Sequence, residues 1–205
     1  MYNEGYSSPN IERATFTGNA ASNYGGGLYN YFSSDTQLIN VTFNGNTALS
    51  GGGLYNRETC YLTINNATIT DNSGFGAGIY NQTGATLFMT NSIVWGSTEH
   101  LIYNGGTQTI TYCDIQGGPT TAGNINLDPL LAPLAWNGGN TKTRALPITS
   151  PAVDAGDPAH CPVEDQRGYV RPIDGNGDYV ALCDMGAFEY GSYLVHYFFL
   201  PMIFK

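Results

Sequence analysis

Asp174, Asn176 and Asp178, in the stretch DGNGD, occupy the first, third and fifth places of a calcium-loop pattern. That alternation lets side-chain oxygens converge on one hard cation. The rest of the pattern fails, because the sixth place holds Tyr179 where the turn needs Gly and the twelfth holds Met185 where a bidentate Glu belongs. Two readings stand: a Ca²⁺ site completed by Asp184 or a carbonyl, and a plain Asp-Gly-Asn-Gly turn. No other cofactor is expected. Cys161 and Cys183 flank the same loop. A disulfide between them would staple a stretch with few apolar residues and would suit an oxidising compartment; the alternative is two reduced thiols. No CxxC or His pair accompanies them, which argues against zinc.

Acid–base chemistry has little material elsewhere. Arg13 and Arg57 are the bases of the first half, and Asp35, Asp71, Glu99 and Asp114 fall at different repeat positions. Polysaccharide lyases and glycosidases need clustered carboxylates, often with a base beside them. His100 and His196 are isolated, and His160 sits in a loop before Cys161. The expectation is no catalytic residue and no enzyme activity. Tyr2, Tyr29, Tyr55, Tyr80 and Tyr103 are more suggestive. They recur as an outward column, read either as a strip for sugar rings or as a stabilising ladder on a solvated face. Thr15, Thr42 and Thr68 form a shorter column that Ile93 breaks, a poor start for an ice-binding array.

These columns exist because the chain repeats itself. GGGLYN at residues 25–30 and 51–56, GAGIYN at 76–81 and EHLIYN at 99–104 place successive tyrosines 26, 25 and 23 residues apart. One earlier step, of 27, lands on Tyr2. A second column agrees: Phe16, Phe43, Ile69, Val94 and Ile115 each follow, by five residues, Ile11, Leu38, Ile64, Met89 and Ile110. Two residues before each member of the Phe16 column stand Ala14, Val41, Ala67, Ser92 and Cys113, which alternation puts on the same inward face. Cys60 lies in a corner, so it and Cys113 should not meet. Such a period with Gly and Asn corners predicts a solenoid whose coils bury their apolar faces against one another. Identical residues then form ladders roughly 4.8 Å apart. Asn19, Asn46 and Asn72 make one, and Asn30, Asn56, Asn81 and Asn104 another.

Composition sets the same bounds. The 205 residues carry 27 Gly and 15 Tyr but only 11% charged residues, which disfavours helices and points to an all-β chain. Only 7 Lys plus Arg stand against 16 Asp plus Glu, a net charge of −9 that repels nucleic acid.

The repeat units resemble those of right-handed parallel β-helix surface proteins, including the polymorphic outer-membrane proteins with their F-x-x-N and G-G-A/G-I/L phrases. The resemblance covers about residues 1–117 and implies an all-β, single-stranded right-handed parallel β-helix of about five to six coils with an irregular C-terminal cap. Residues 118–190 contain DPLLAPL, NGGNTKTRAL, SPAVDAGD, DQRG, RPIDG and CDMGAFE. They resemble the choice-of-anchor Q region of bacterial secreted β-helix proteins, which implies a last irregular coil and a cap over the terminal rung. The apolar tail, residues 191–205, is read equally as a surface-retention signal, on its similarity to YLP…K endings, or as a final packed strand. Because Tyr2 stands in register without its corner glycines, Met1 reads as an internal start, with further coils and an export signal upstream. The expected role is a secreted or cell-surface, non-catalytic module: stalk, adhesin or envelope component. Its expected partners are polysaccharide or envelope components, and end-to-end self-association. The alternative is a fragment of a carbohydrate-active β-helix enzyme.

Overall fold

The structure is a computed structural model that describes residues 1–97 and 100–193. Glu99 and the apolar tail from residue 194 onward lie outside the described residues, and so do the two readings of that tail. Strands are numbered in chain order. One sheet holds β1 (Tyr2–Asn3), β4 (Leu28–Asn30), β7 (Leu54–Asn56), β10 (Ile79–Asn81) and β13 (Ile102–Asn104), in that spatial order. A second holds β2 (Asn10–Glu12), β3 (Thr15–Thr17), β5 (Asp35–Asn44), β8 (Tyr61–Thr70), β11 (Thr86–Thr90), β12 (Ile93–Trp95), β14 (Thr107–Thr111) and β15 (Asp114–Ile115). A third pairs β6 (Thr47–Ser50) with β9 (Ser73–Phe75). All these strand pairs are parallel, and those of the first two sheets keep the register of the repeat, Tyr29 facing Tyr55, Leu38 facing Ile64 and Phe43 facing Ile69, whereas β6 and β9 shift register between Thr47 and Ser50. Each repeat therefore lays one rung on its predecessor, and the five rungs of the tyrosine sheet enclose about four turns. That is fewer than the five to six coils expected. Beyond Ile115 the chain adds only a bridge between Asp114 and Ile125 before leaving the stack.

Inside, both expected columns meet. Leu38, Ile64 and Met89 pack with Val41, Phe43, Ala67, Ile69, Val94 and Cys113 in one buried cluster. A flat strand would send residues five apart to opposite faces. The chain avoids this with a left-handed residue between the columns: Arg13, Asn40, Asn66, Asn91 and Tyr112 have φ of 51°, 53°, 51°, 49° and 51°. The bend turns the strand so that both columns point inward. Asn tolerates this conformation better than other side chains do.

At the corner before the tyrosine sheet, glycine answers two demands. Gly51 has φ +64°, and a Cβ on Gly53 would stand 2.5 Å from the carbonyl oxygen of Gly78 in the next coil. Both asparagine ladders form. Asn56 Nδ2 donates to Asn81 Oδ1 at 2.9 Å and Asn81 to Asn104 at 2.7 Å, while Asn19 donates to Asn46 at 2.8 Å and Asn46 to Asn72 at 3.0 Å.

The C-terminal third departs from the expected cap. Residues 118–127 finish a partial coil, but the remainder runs back along the flank of the stack instead of covering its terminal rung. Gln166 reaches Thr15 on the first coil, Glu164 reaches Asn40, Asp184 reaches Asn66, and Asp157 reaches Asn91 on the fourth. This segment acts as a strap across four rungs.

Candidate functional site

The tyrosine column is in register and packed along its length: Tyr2 is exposed, Tyr29, Tyr80 and Tyr103 are half-buried, and Tyr55 is buried. Tyr55 and Tyr80 stack at 4.6 Å and 4°, and Tyr80 and Tyr103 at 4.5 Å and 29°. Tyr29 meets Tyr55 edge-on at 5.4 Å, and Tyr2 tilts on Tyr29 at 5.3 Å. Tyr24 folds from the preceding corner to 4.7 Å from Tyr55, leaving that residue 6% exposed, whereas Tyr2 is 54% exposed. The Tyr29 hydroxyl accepts from Arg57 Nη1 at 3.0 Å. Rings stacked on one another present edges and hydroxyls outward rather than faces, so packing along the stack accounts for the column.

The threonine column is also not a surface array. Thr42 and Thr68 are buried because the strap lies on them. Thr42 Oγ1 donates to Gln166 Oε1 at 2.6 Å, Gln166 Nε2 donates to Thr15 Oγ1 at 2.8 Å, and Thr68 Oγ1 accepts from Ala187 N at 3.0 Å. Ile93 breaks the column where the strap's own apolar cluster, Leu146, Ala152, Val153, Met185 and Phe188, meets the coils. Beside the column, the bend asparagines bind the strap backbone. Asn40 Nδ2 donates to Glu164 O at 2.7 Å, Asn66 to Asp184 O at 3.1 Å, and Asn91 both donates to and accepts from the Asp157 backbone. Sequence reasoning found two asparagine ladders and missed this third one, although INVTF, NNATI and TNSIV display it.

Within the strap, carboxylates organise backbone that has almost no regular secondary structure. Asp165 accepts from the amides of Arg167, Tyr169 and Glu189; Asp184 from Asp154 and Tyr190; Glu189 from Ile173 and Asp184. Asp154 accepts from Gly175, Asn176 and Leu182. Two arginines answer the charge. Arg167 Nη2 lies 2.6 Å from Asp165, with its guanidinium 3.7 Å from the Phe188 ring centre, and Arg171 Nε lies 2.7 Å from Glu189 in a fully buried pair. Burial, and then the charge of Glu189, pushes the Asp184 carboxyl up to about 8. Burial likewise raises Glu189, against the pull of Arg171.

DGNGD closes as a turn. Asp174 accepts from the amides of Gly177, Asp178 and Tyr179, Asn176 from Asp178, and Asp178 from Val180. The donor set of a Ca²⁺ site is thus largely committed to backbone. Cys161 and Cys183 form the expected disulfide with Cα atoms 5.9 Å apart, while Cys60 and Cys113 are free and buried. The Cys113 thiol donates to Thr111 O, and burial pushes its pKa up to about 12.

The sequence model described as "Right handed beta helix region" matches residues 2–122. The chain belongs to the right-handed β-helix family. The match ends where the stack ends, so the strap of this β-helix falls outside the family's common part. No curated protein and no solved structure matched the chain. Family membership fixes architecture and leaves chemistry to the site.

Proposed function

We propose that this β-helix is a non-catalytic module of a secreted or cell-surface protein, a stalk, adhesin or envelope component whose partners are polysaccharide, cell-envelope components or further copies of itself joined end to end. The observation that carries the reading is the allocation of carboxylates. Asp154, Asp165, Asp184 and Glu189 face backbone amides and two arginines inside the strap, and the two carboxylates that line an open cleft, Asp71 and Asp128, are engaged by Arg144 and by the Leu130 amide. Catalytic carboxylates must instead flank a substrate. The disulfide supports an oxidising compartment. The likeness of the repeats to polymorphic outer-membrane proteins, and of the strap phrases to a choice-of-anchor region, supports a place at the cell surface. Incubated with pectate or alginate, the purified chain should yield no unsaturated products detectable by ultraviolet absorbance. Product that appears, and disappears on a single Asp→Asn change, would reverse the reading.

A further inference from the structure

Where the strap leaves the third and fourth coils, a cleft of about 390 Å³ opens between β8, β12 and the loop around residue 130. Its walls include Thr70, Asp71, Trp95, Asp128, Leu130 and Arg144. We propose that this cleft binds one unit of a neutral polysaccharide, with Trp95 as the platform and Asp71 and Asp128 as hydroxyl acceptors.

Three observations converge. Trp95 is half-buried against the strap's apolar cluster and, unlike the ladder tyrosines, pairs with no other ring among the described residues. An indole without a ring partner, beside a cleft, offers the C–H face of a sugar the apolar surface it stacks on. The carboxylates keep free acceptor capacity. Asp128 Oδ1 accepts from Leu130 N at 2.9 Å and Asp71 Oδ2 pairs with Arg144, while the second oxygen of each has no protein donor among the described residues. Among the described residues the cleft also offers no spare cation. The Arg144 guanidinium donates to Ala132 O at 2.8 Å, Thr70 Oγ1 at 3.1 Å, Asn44 Oδ1 and Leu131 O at 3.4 Å, and Asp71. Free acceptors without free cations select a polyol of no charge and repel a uronate. The ligand adds to the proposed role only the condition that sugar is held and not cleaved.

The test uses the full chain with Trp136→Phe, which leaves Trp95 as the sole indole reporter of the two tryptophans. Hexasaccharides of β-linked glucose, xylose and mannose are titrated with fluorescence and calorimetric readouts. At least one should shift the Trp95 emission, with binding about tenfold weaker in Trp95→Ala and severalfold weaker in Asp128→Asn, a solvent-facing change that leaves the melting temperature intact. Absence of binding by all three sugars, unchanged binding in both variants, tighter binding of an oligogalacturonate, or the same emission shift from Ca²⁺ alone would each overturn the proposal. Binding accompanied by new reducing ends would retain the sugar site and sink the non-catalytic reading, so the two failures are distinguishable.

Discussion

Asp114 carries its carboxyl into the stack with one oxygen unanswered. Oδ1 accepts from Leu127 N at 3.2 Å, but Oδ2 is buried without a donor. Burial, with a smaller contribution from Asp128, pushes its pKa up to about 6. The folded state holds this proton more tightly than the unfolded chain does. The associated stability is present in full below the unfolded value and is lost as pH rises through about 6. Asn keeps the Oδ1 acceptor and removes the charge. Asp114→Asn should therefore raise stability at pH near 8 by about 1–2 kcal/mol, with the gain shrinking in acid, as read from urea melts at both conditions. A loss at the higher pH would show that the buried oxygen has a partner.

At the scale of the strand, the left-handed bend divides what sequence conveys from what it conceals. Asn66 supplies both the bend, at φ 51°, and two donor contacts from Nδ2 to the Asp184 and Gly186 carbonyls. Asn66→Ala should cost about 2–4 kcal/mol, combining left-handed strain with buried carbonyls left unpaired. Asn66→Gly relieves the strain and should cost roughly half as much. Equal losses in denaturant melts would deny the bend its share. The inward columns, the tyrosine register and two asparagine ladders were legible because each residue's partner is the same residue one period away. The bend asparagines were missed and the threonine column misread, because their partners lie 66 to 151 residues away in a segment with no period. Trp95 went unremarked for the same reason: its cleft has one wall from the repeat and one from the strap. The disulfide was legible because both cysteines bracket one loop.

Taken whole, the molecule is a regular stack held by an irregular strap whose stability depends on charge. Asp184 and Glu189 both have raised pKa values, so the protons they hold in the folded state favour folding in mild acid. That contribution fades as pH rises through about 8 for Asp184. Asp157, lowered chiefly by its hydrogen bond to His160, works in the opposite sense, and its contribution fades as pH drops into the carboxylate range. The melting temperature should accordingly fall as pH rises from about 5 to about 8, and Asp184→Asn should flatten the slope. A flat wild-type profile would mean that Arg171 neutralises the pair outright. The strap also carries a consequence for biosynthesis. Coils can stack as they emerge during translation, since each needs only its predecessor, but the Thr42 and Thr68 face stays bare until Gln166 and Ala187 have been made. A polypeptide halted before residue 140 would own every rung and none of the closure. Unfinished chains would thus display a sticky threonine and isoleucine flank that completed ones hide, a built-in mark by which proteases and chaperones can tell the two apart.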